Sequence, residues 1–256
     1  MSWSVKQYVT FEDERTRPVR DLLRAIPTTD ARRAIDLGCG PGNSTEALAA
    51  HFPQAAVSGM DSSPEMIEAA RKRLPNIPFE VAAIETWSAK EPLDVIFANA
   101  ALQWVPDHVS LYPRLVAQLA PGGSLAVQTP DNLDEPAHRL MREVAADGPW
   151  KDKLAKAAGA RAPRESPDWY YNLMKPHCVR VDVWRTIYHH PLAGGANGIV
   201  EWFKATGLRP FINPLSEAER EAYLDRYRAE LAKAYPALDD GTVLLPFPRL
   251  FVVATQ

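Results

Sequence analysis

A strand, loop and helix pattern around residue 40 constrains the fold more than any other feature of this sequence. A short apolar run contains Asp36, and Gly38, Gly40 and Gly42 follow it at alternate positions before an apolar helical pattern. Glycine permits the tight turn and the close approach of a ligand to the backbone. Dinucleotide-binding loops have the spacing G-x-G-x-x-G, whereas this loop has G-x-G-x-G preceded by a carboxylate that suits an ammonium-bearing ligand. Glycines of a simple turn are the alternative.

A second acid, Asp61, ends the next buried strand, Ala55 to Met60. In open α/β sheets ligands bind beyond the carboxyl ends of strands, where an acid can accept hydrogen bonds from two ribose hydroxyls. Asp61 as a helix N-cap is the alternative, but Ser63 directly before Pro64 suits that role and would leave Asp61 free for a ligand. Met66 then either contacts an adenine ring or fills the core.

The order of strands and helices predicts a parallel sheet with right-handed crossovers up to about residue 130. We expect strands at 33–37, 56–60, 78–83, 93–98 and 124–128, and later at 180–189 and 249–254. We expect helices at 43–52, 64–74, 110–119 (with Pro113 in the first turn), 134–147, 198–206 and 216–235, where Ser216 and Glu219 form a capping box. Pro18 should break the helical segment before the first strand, and 148–178 should be irregular.

Composition excludes several classes of protein. The chain has 256 residues, 46% of them hydrophobic, which suits one α/β domain with additions. The net charge of −3 disfavours a nucleic-acid partner, and we expect no membrane span. Two cysteines and no signal peptide indicate a cytoplasmic protein. We also expect a monomer or homodimer. We expect no metal site, since His189 and His190 lack further ligands at suitable spacing.

The segment from Arg33 to Thr45 resembles the cofactor loop of class I S-adenosylmethionine-dependent methyltransferases. The resemblance implies S-adenosyl-L-methionine as cofactor and a Rossmann-like α/β fold with a seven-stranded, mostly parallel sheet. Its last strand would be antiparallel, inserted between strands five and six, and a helical insertion would form a cap. Residues 1–256 would be one domain, with a lid at about 1–30, a cofactor-binding core at 31–130 and acceptor-side cap and last strands at 131–256.

The cofactor-binding residues expected from this pattern lie at the ends of the first four strands. They are Asp36, Gly38, Cys39, Gly40, Asn43, Asp61, Ser62, Met66, Ala83, Ile84, Asn99 and Ala100. The sequence departs from the family at one position, because Ala83 stands where an acid often holds the adenine amino group. Glu85 or a backbone carbonyl near Ile84 would have to substitute for it.

Later segments narrow the resemblance. The motifs from Ile96 to His108, Val183 to His189 and Pro248 to Ala254, with the glycine loop, resemble the trans-aconitate 2-methyltransferase family over essentially the whole chain. The implied reaction is methylation of one carboxylate of a small tricarboxylic acid, with S-adenosylhomocysteine as the second product. A carboxylate with a pKa near 4 is already anionic at neutral pH, so we expect no catalytic base, only orientation of the reactants.

Such a reaction requires groups that bind the non-reacting carboxylates. Arg249, next to Pro248, is the first candidate, and an exposed strand-end charge is the alternative. Trp104 beyond the fourth strand should wall the methyl-transfer chamber. Arg185 and His189 share one strand face, which is either part of the pocket or a solvated edge. Tyr8, Phe11 and Arg15 resemble the lid segment of such enzymes, with an amphipathic helix as the alternative.

Two other functions remain open at this point. One is methylation of another small acceptor, such as a quinone, a phenol or an amine; a phenol would need a base or a lowered pKa. The other is a cofactor-binding regulatory protein without catalysis, which the cofactor loop by itself does not distinguish from an enzyme.

Overall fold

The computed structural model describes residues 12–158, 165–204 and 206–256. The chain divides into two compact units. Unit 1 comprises the chain up to Pro130, Glu165–Thr186 and Arg249–Gln256; unit 2 comprises Asp131–Arg164 and Ile187–Pro248. The arrangement as a single domain stays a prediction. In the described part of the chain, no helix has the length and apolar character needed to cross a membrane.

The strands form one seven-stranded sheet of order β3-β2-β1-β4-β5-β7-β6. They are β1 (Arg33–Leu37), β2 (Ala56–Asp61), β3 (Phe79–Val81), β4 (Leu93–Asn99), β5 (Leu119–Pro130), β6 (Arg180–Leu192) and β7 (Val243–Thr255). The first five strands pair in parallel, and β7 pairs antiparallel with β5. The predicted sheet, with an antiparallel last strand between the fifth and sixth, is confirmed.

The described helices follow the alternation up to β5 and then occupy most of unit 2. They are α1 (Glu12–Ala25), α2 (Asn43–His51), α3 (Pro64–Arg73), α4 (His108–Val116), α5 (Pro136–Ala146), α6 (Lys151–Ala158), α7 (Pro167–Met174), α8 (Ala196–Lys204), α9 (Arg209–Ile212) and α10 (Glu217–Ala234), with 3₁₀ turns at Leu102–Trp104 and Lys175–His177.

The two faces of the sheet in unit 1 have different chemistry. One face is apolar and packs against α4 and α7; it includes Ile35, Leu37, Ile96, Ala98, Leu125, Val127, Leu250 and Val252. Paired residues on neighbouring strands point to the same side of a sheet. The pairs Asp36–Phe97 and Asn99–Gln128 therefore place Asp36, Asn99 and Gln128 on the opposite face. Arg249, two residues before Phe251, which pairs with Gln128, shares that face.

Unit 2 has its own core around α10. The hydroxyl of Tyr223 donates to the carbonyl of Met141 at 3.0 Å, and that of Tyr227 donates to the carbonyl of Ala137 at 2.9 Å. Both tyrosines are fully buried, so these bonds satisfy polar atoms that would otherwise cost folding free energy. The predicted capping box of Ser216 and Glu219 at the start of α10 is confirmed.

Two predictions about prolines were wrong. Pro18 lies inside a continuous α1 and is itself buried, as are Val19 and Leu22, so packing offsets the one hydrogen bond that the proline removes. Pro113 lies well inside α4 rather than in its first turn. The carboxylate of Asp107 accepts from the backbone N–H of Ser110 at 3.3 Å and starts that helix earlier.

Several predicted boundaries also differ from the structure, including that of β5, which begins at Leu119 and not at Ser124. The region 148–178 contains α6 and α7, because Pro167 with the N-cap Ser166 begins a helix rather than preventing one. Strand β3 stops at Val81, short of the predicted end. Strand β7 begins at Val243, so Arg249 lies inside the last strand and does not open it.

Candidate active site

A buried carboxylate lies at the end of β1. Asp36 has no exposed surface, and its Oδ2 accepts hydrogen bonds from the hydroxyls of Ser44 at 2.6 Å and Thr45 at 2.8 Å. Its Oδ1 is buried and has no hydrogen-bond partner among the described residues. Burial raises the pKa of Asp36 to about 6, although the two hydroxyls act in the opposite direction. A buried carboxylate with one unsatisfied oxygen is suited to a cationic ligand.

The glycine loop that follows has the conformations that only glycine adopts easily. Gly38, Gly40 and Gly42 have φ angles of 69°, 55° and 93°. A Cβ at Gly38 would lie 2.4 Å from the Cβ of Ala101, so this glycine permits a close approach between two loops. A Cβ at Gly40 would meet no atom within 4 Å, so the space in front of this residue is open. Cys39 is buried, and burial raises the pKa of its thiol well above the usual value.

Asp61 at the end of β2 connects this loop to the next one. Its Oδ2 accepts from the backbone N–H of Gly40 at 3.0 Å, and its Oδ1 accepts from the N–H of Ser63 at 2.8 Å. Asp61 therefore holds two loops, and its predicted contact with ribose hydroxyls stays a prediction. A carboxylate has about four lone-pair sites, so both oxygens can still accept from ribose hydroxyls.

Ser62, Ser63 and Met66 form the start of α3. The hydroxyl of Ser63 accepts from the N–H of Met66 at 3.3 Å, which confirms Ser63 as the N-cap. Met66 is 5% exposed, and Ser62 lies between Asp61 and the N-cap Ser63. The predicted contact of Met66 with an adenine ring stays a prediction.

The segment after β3 carries the position that lacks the family's acid. Ala83 is exposed and its carbonyl accepts from the N–H groups of Thr86 and Trp87, while Ile84 is nearly buried. The carbonyl of Ile84 accepts from Nη2 of Arg114 at 2.8 Å. Both carbonyls therefore stabilise the loop itself. Glu85 is exposed on the same segment and keeps its carboxylate available for an amino group.

The end of β4 has a strained backbone and two unsatisfied amide oxygens. Ala100 has a φ of 54°, its N–H donates to the carbonyl of Gln128 at 2.8 Å, and its carbonyl accepts from Nε2 of Gln103 at 2.6 Å. Asn99 Oδ1 and Gln103 Oε1 are buried and have no partner within the described ranges. Strain of this kind is typical of functional sites, and the two oxygens are suited to a ligand that donates hydrogen bonds.

The 3₁₀ turn after Ala100 carries Trp104, which is 48% exposed. The imidazole ring of His108 contacts this turn and α7. Its Nε2 lies 2.9 Å from the carbonyl of Leu102 and its Nδ1 lies 2.9 Å from the hydroxyl of Tyr170. A carbonyl only accepts, so Nε2 carries the proton in the neutral ring and Tyr170 donates to Nδ1. His108 therefore connects the Trp104 turn to α7.

The guanidinium of Arg249 is not an exposed charge at the end of a strand. Only 5% of its surface is exposed, and Nη1 donates to Oε1 of the fully buried Gln128 at 2.9 Å. Gln128 pairs with Asn99 at the end of β4, and Arg249 pairs with Pro130 two residues further along β5; both lie on the face of the sheet that carries Asp36. Sequence reasoning named Arg249 and placed Gln103 beside Trp104 beyond the fourth strand, but it missed Gln128, Ser44 and Thr45. The polar run Asn-Ser-Thr after the glycines was a signal for the last two.

The remaining predicted acceptor residues do not join this group in the described structure. Arg185 is exposed, and it lies on the strand face of Val181 and Val183, which pack against the apolar core opposite Arg249. His189 is exposed and belongs to unit 2, where burial raises the pKa of Glu135 and the nearby His189 acts in the opposite direction. Tyr8 and Phe11 lie outside the described residues, and Arg15 lies in α1.

The residues around the glycine loop fit S-adenosylmethionine. The carboxylates of Asp36 and Asp61 would suit the ammonium group and the ribose hydroxyls, and the unsatisfied oxygens of Asn99 and Gln103 are further acceptors. The open space at Gly40 leaves room for the ligand beside the backbone. In the described part of the chain, no three His, Cys, Asp or Glu side chains lie close enough together to hold a metal ion.

Comparisons with known proteins agree with this site. A methyltransferase domain model matches residues 28–189. Among solved structures, the YcgJ protein of Bacillus subtilis has a TM-score of 0.61 at 13% identity, covering 94% of this chain and 98% of its own. The phosphoethanolamine N-methyltransferase 2 of Haemonchus contortus, in complex with S-adenosylhomocysteine, has a TM-score of 0.56 at 15% identity, covering 93% and 52%. Fold and site together define a class I S-adenosylmethionine-dependent methyltransferase.

The family follows from curated relatives. A trans-aconitate 2-methyltransferase of Rhodopseudomonas palustris (strain BisB18) is 56% identical over 254 residues, covering 99% of both chains. One from Rhizobium rhizogenes (strain K84) is 52% identical over the full length of both chains. The chain belongs to the trans-aconitate 2-methyltransferase family. Its cofactor is S-adenosyl-L-methionine.

Proposed function

We propose that the enzyme transfers a methyl group from S-adenosylmethionine to one carboxylate of trans-aconitate, giving the monomethyl ester and S-adenosylhomocysteine. The acceptor is a small molecule, as in the relatives whose names specify it. The observation that supports a polycarboxylate best is the buried pair of Arg249 and Gln128, since a protein of net charge −3 places a cation where almost no solvent reaches it. Three expectations stay predictions: a cytoplasmic location, a monomeric or homodimeric state, and the absence of a nucleic-acid partner.

The two ends of the site offer opposite hydrogen-bonding chemistry. Asp36 and Asp61, with the amide oxygens of Asn99 and Gln103, offer acceptors to a cationic ligand with hydroxyl groups. Arg249 offers donors on the same sheet face, two strands away from β4. This separation supports binding of an ammonium-bearing cofactor at the first end and a carboxylate-bearing acceptor at the second, because each end repels the other's ligand.

The chain's task in the reaction is mainly orientation. Bound S-adenosylmethionine supplies an electrophilic methyl group on a positively charged sulfur. A carboxylate with an ordinary pKa near 4 needs no base at neutral pH, so the residues bind, align the reactants and exclude water. Trp104 presents an apolar ring with one N–H beside the strained Ala100 turn, which suits the wall of a transfer chamber.

A phenol, quinone or amine acceptor is not favoured by the relatives, and the pH dependence of the rate distinguishes it. With a carboxylate acceptor, kcat at saturating cofactor should be constant from pH 6 to 9, because no proton leaves the nucleophile in that range. A phenol would give a rate that rises with pH. Binding of trans-aconitate to enzyme saturated with S-adenosylhomocysteine, measured by calorimetry, tests the acceptor independently of turnover. Absence of binding would contradict the proposal.

A further inference from the structure

The buried amide of Gln128 has one satisfied atom and one unsatisfied atom. The side chain has no exposed surface, and Oε1 accepts from Nη1 of Arg249 at 2.9 Å. Nε2 is buried and has no hydrogen-bond partner among the described residues. A buried N–H without an acceptor costs folding free energy, so a native protein rarely leaves one unless a ligand completes the bond.

The orientation of this amide is determined by its neighbour. Exchanging the nitrogen and oxygen of Gln128 would place an N–H group against Nη1 of Arg249, and two donors do not bond. Nε2 must therefore point away from the guanidinium. The register places Gln128 next to Asn99 on the sheet face that carries Asp36, at the carboxyl end of β5, where ligands bind in sheets of this kind.

We propose that Gln128 is a specificity-determining residue: its Nε2 donates to a carboxylate of the acceptor that is not methylated, while its Oε1 holds Arg249 in place for the same carboxylate. This inference rests on the proposed function and names a residue for it. Hydrogen bonds from a donor and a cation stabilise the anionic form of a carboxylate and make it a weaker nucleophile. The carboxylate held by Gln128 is therefore the one that the enzyme spares, and another carboxylate of the same molecule reacts.

The test compares Gln128→Glu and Gln128→Met with the wild type. Glutamate keeps the shape but presents an oxygen to the substrate's carboxylate, and methionine removes both polar atoms. We expect the KM for trans-aconitate to rise about thirtyfold or more in Gln128→Glu and about tenfold in Gln128→Met, with little change in kcat, since the contact is made equally before and during transfer. The dissociation constant of trans-aconitate from enzyme saturated with S-adenosylhomocysteine should rise by the same factors.

Gln118→Glu is the matched control. Gln118 has both amide atoms satisfied within the protein, since it accepts from the N–H of Ala89 and donates to the carbonyl of Arg114. It precedes β5, at the end of that strand opposite Gln128. This variant should keep the wild-type KM. The affinity for S-adenosylhomocysteine should change little in Gln128→Met, whereas a purely structural role would lower it together with the affinity for trans-aconitate.

The outcomes separate the inference from the proposed function. A wild-type enzyme that binds trans-aconitate, with Gln128→Glu and Gln128→Met binding it equally well, would overturn the inference alone. The same holds if both variants lose S-adenosylhomocysteine and trans-aconitate to the same extent. A wild-type enzyme that binds no tricarboxylate would overturn the proposed function, and the inference with it.

Discussion

The carboxylate of Asp61 accepts a hydrogen bond from the backbone N–H of Gly40 at 3.0 Å. The end of β2 therefore fixes the glycine loop that follows β1. The second oxygen of Asp61 holds the N–H of Ser63, so one side chain determines the position of both loops that face the cofactor. If Asp61 binds the cofactor as proposed, binding of the cofactor and the shape of its loop depend on the same carboxylate.

Replacement of Asp61 should weaken cofactor binding. Asp61→Ala removes a charged acceptor for the ribose and also releases Gly40, and bonds to charged groups contribute about 1.5–3 kcal/mol. We expect affinity for S-adenosylhomocysteine to fall roughly ten- to hundredfold in calorimetric titrations. Asp61→Asn, which keeps one oxygen acceptor, should lose less. Unchanged affinity in Asp61→Ala would show that the residue only shapes the loops.

Replacement by alanine should have different effects on stability and cofactor binding at Gly38 and at Gly40. Both have positive φ angles, which cost a residue with a Cβ about 1–2 kcal/mol. Gly38→Ala also drives a methyl group into Ala101, whereas Gly40→Ala enters open space. We expect the larger fall in melting temperature for Gly38→Ala, and for Gly40→Ala a modest fall with a loss of cofactor affinity of at least about tenfold. Equal falls in melting temperature in the two variants, together with unchanged cofactor affinity in Gly40→Ala, would contradict the assignment of Gly40 to the cofactor site.

The buried Asp36 predicts how stability depends on pH. Burial raises its pKa from 3.8 to about 6 in the folded state, so the native protein holds a proton that the unfolded chain has already released between these values. Stability must therefore fall as pH rises through this range. From pH 5 to pH 7 this group alone should remove about 1.3 kcal/mol from the unfolding free energy of the ligand-free protein.

Asp36→Asn provides the control for this effect. Denaturant titrations at pH 5 and pH 7 should show the loss in the wild type and not in the variant, whose amide oxygen can still accept from Ser44 and Thr45. A stability difference between the two pH values that is the same in both proteins would assign the effect to other groups.

Asp36 also predicts how cofactor affinity depends on pH. Only the charged carboxylate attracts an ammonium group, so affinity for S-adenosylhomocysteine should fall about tenfold for each pH unit below about 6. Above pH 7 the affinity should be constant. The affinity of Asp36→Asn should be low throughout and nearly independent of pH. Parallel curves for the two proteins would exclude Asp36 as the titrating group.

Much of the fold was predictable because local signals and global topology agree. The glycine loop, the acids after β1 and β2 and the apolar strands β4 and β5 have patterns that depend on neighbouring residues alone. The helices α6 and α7 were missed because the prolines of the region 148–178 were interpreted as breaks, although Pro167 occupies the first turn of a helix. The early start of β7 was hidden by Pro246 and Pro248 for the same reason.

The site was predictable only in part, since its polar contacts join residues far apart in the chain. The sequence position of Asp61 predicted that it follows a strand, but it did not predict the hydrogen bond that its carboxylate accepts from the N–H of Gly40. Arg249 was predicted from its motif, whereas Gln128 required the antiparallel register between β5 and β7. The separation of Arg185 from Arg249 onto opposite sheet faces also depends on how β6 and β7 pack, which no local pattern specifies.

Arg249 should contribute to acceptor binding through the geometry of its guanidinium. Arg249→Lys keeps the charge but loses the planar fork, and Arg249→Ala also leaves Oε1 of Gln128 without its donor. We expect kcat/KM for trans-aconitate to fall in Arg249→Ala by a factor that corresponds to about 2–3 kcal/mol of lost transition-state stabilisation. The fall in Arg249→Lys should be smaller. Cofactor affinity should remain nearly intact. A wild-type KM for trans-aconitate in Arg249→Ala would place the anchor of the acid elsewhere.

Identification of the methylated product tests the central proposal most directly. The wild-type enzyme is incubated with isotopically labelled S-adenosylmethionine and a panel of di- and tricarboxylic acids, phenols and amines, and the products are identified by mass. We expect one labelled methyl ester of trans-aconitate, formed with an equal amount of S-adenosylhomocysteine and with the highest kcat/KM of the panel. Methylation of a phenol or an amine, with no ester of any polycarboxylate, would contradict the assigned acceptor.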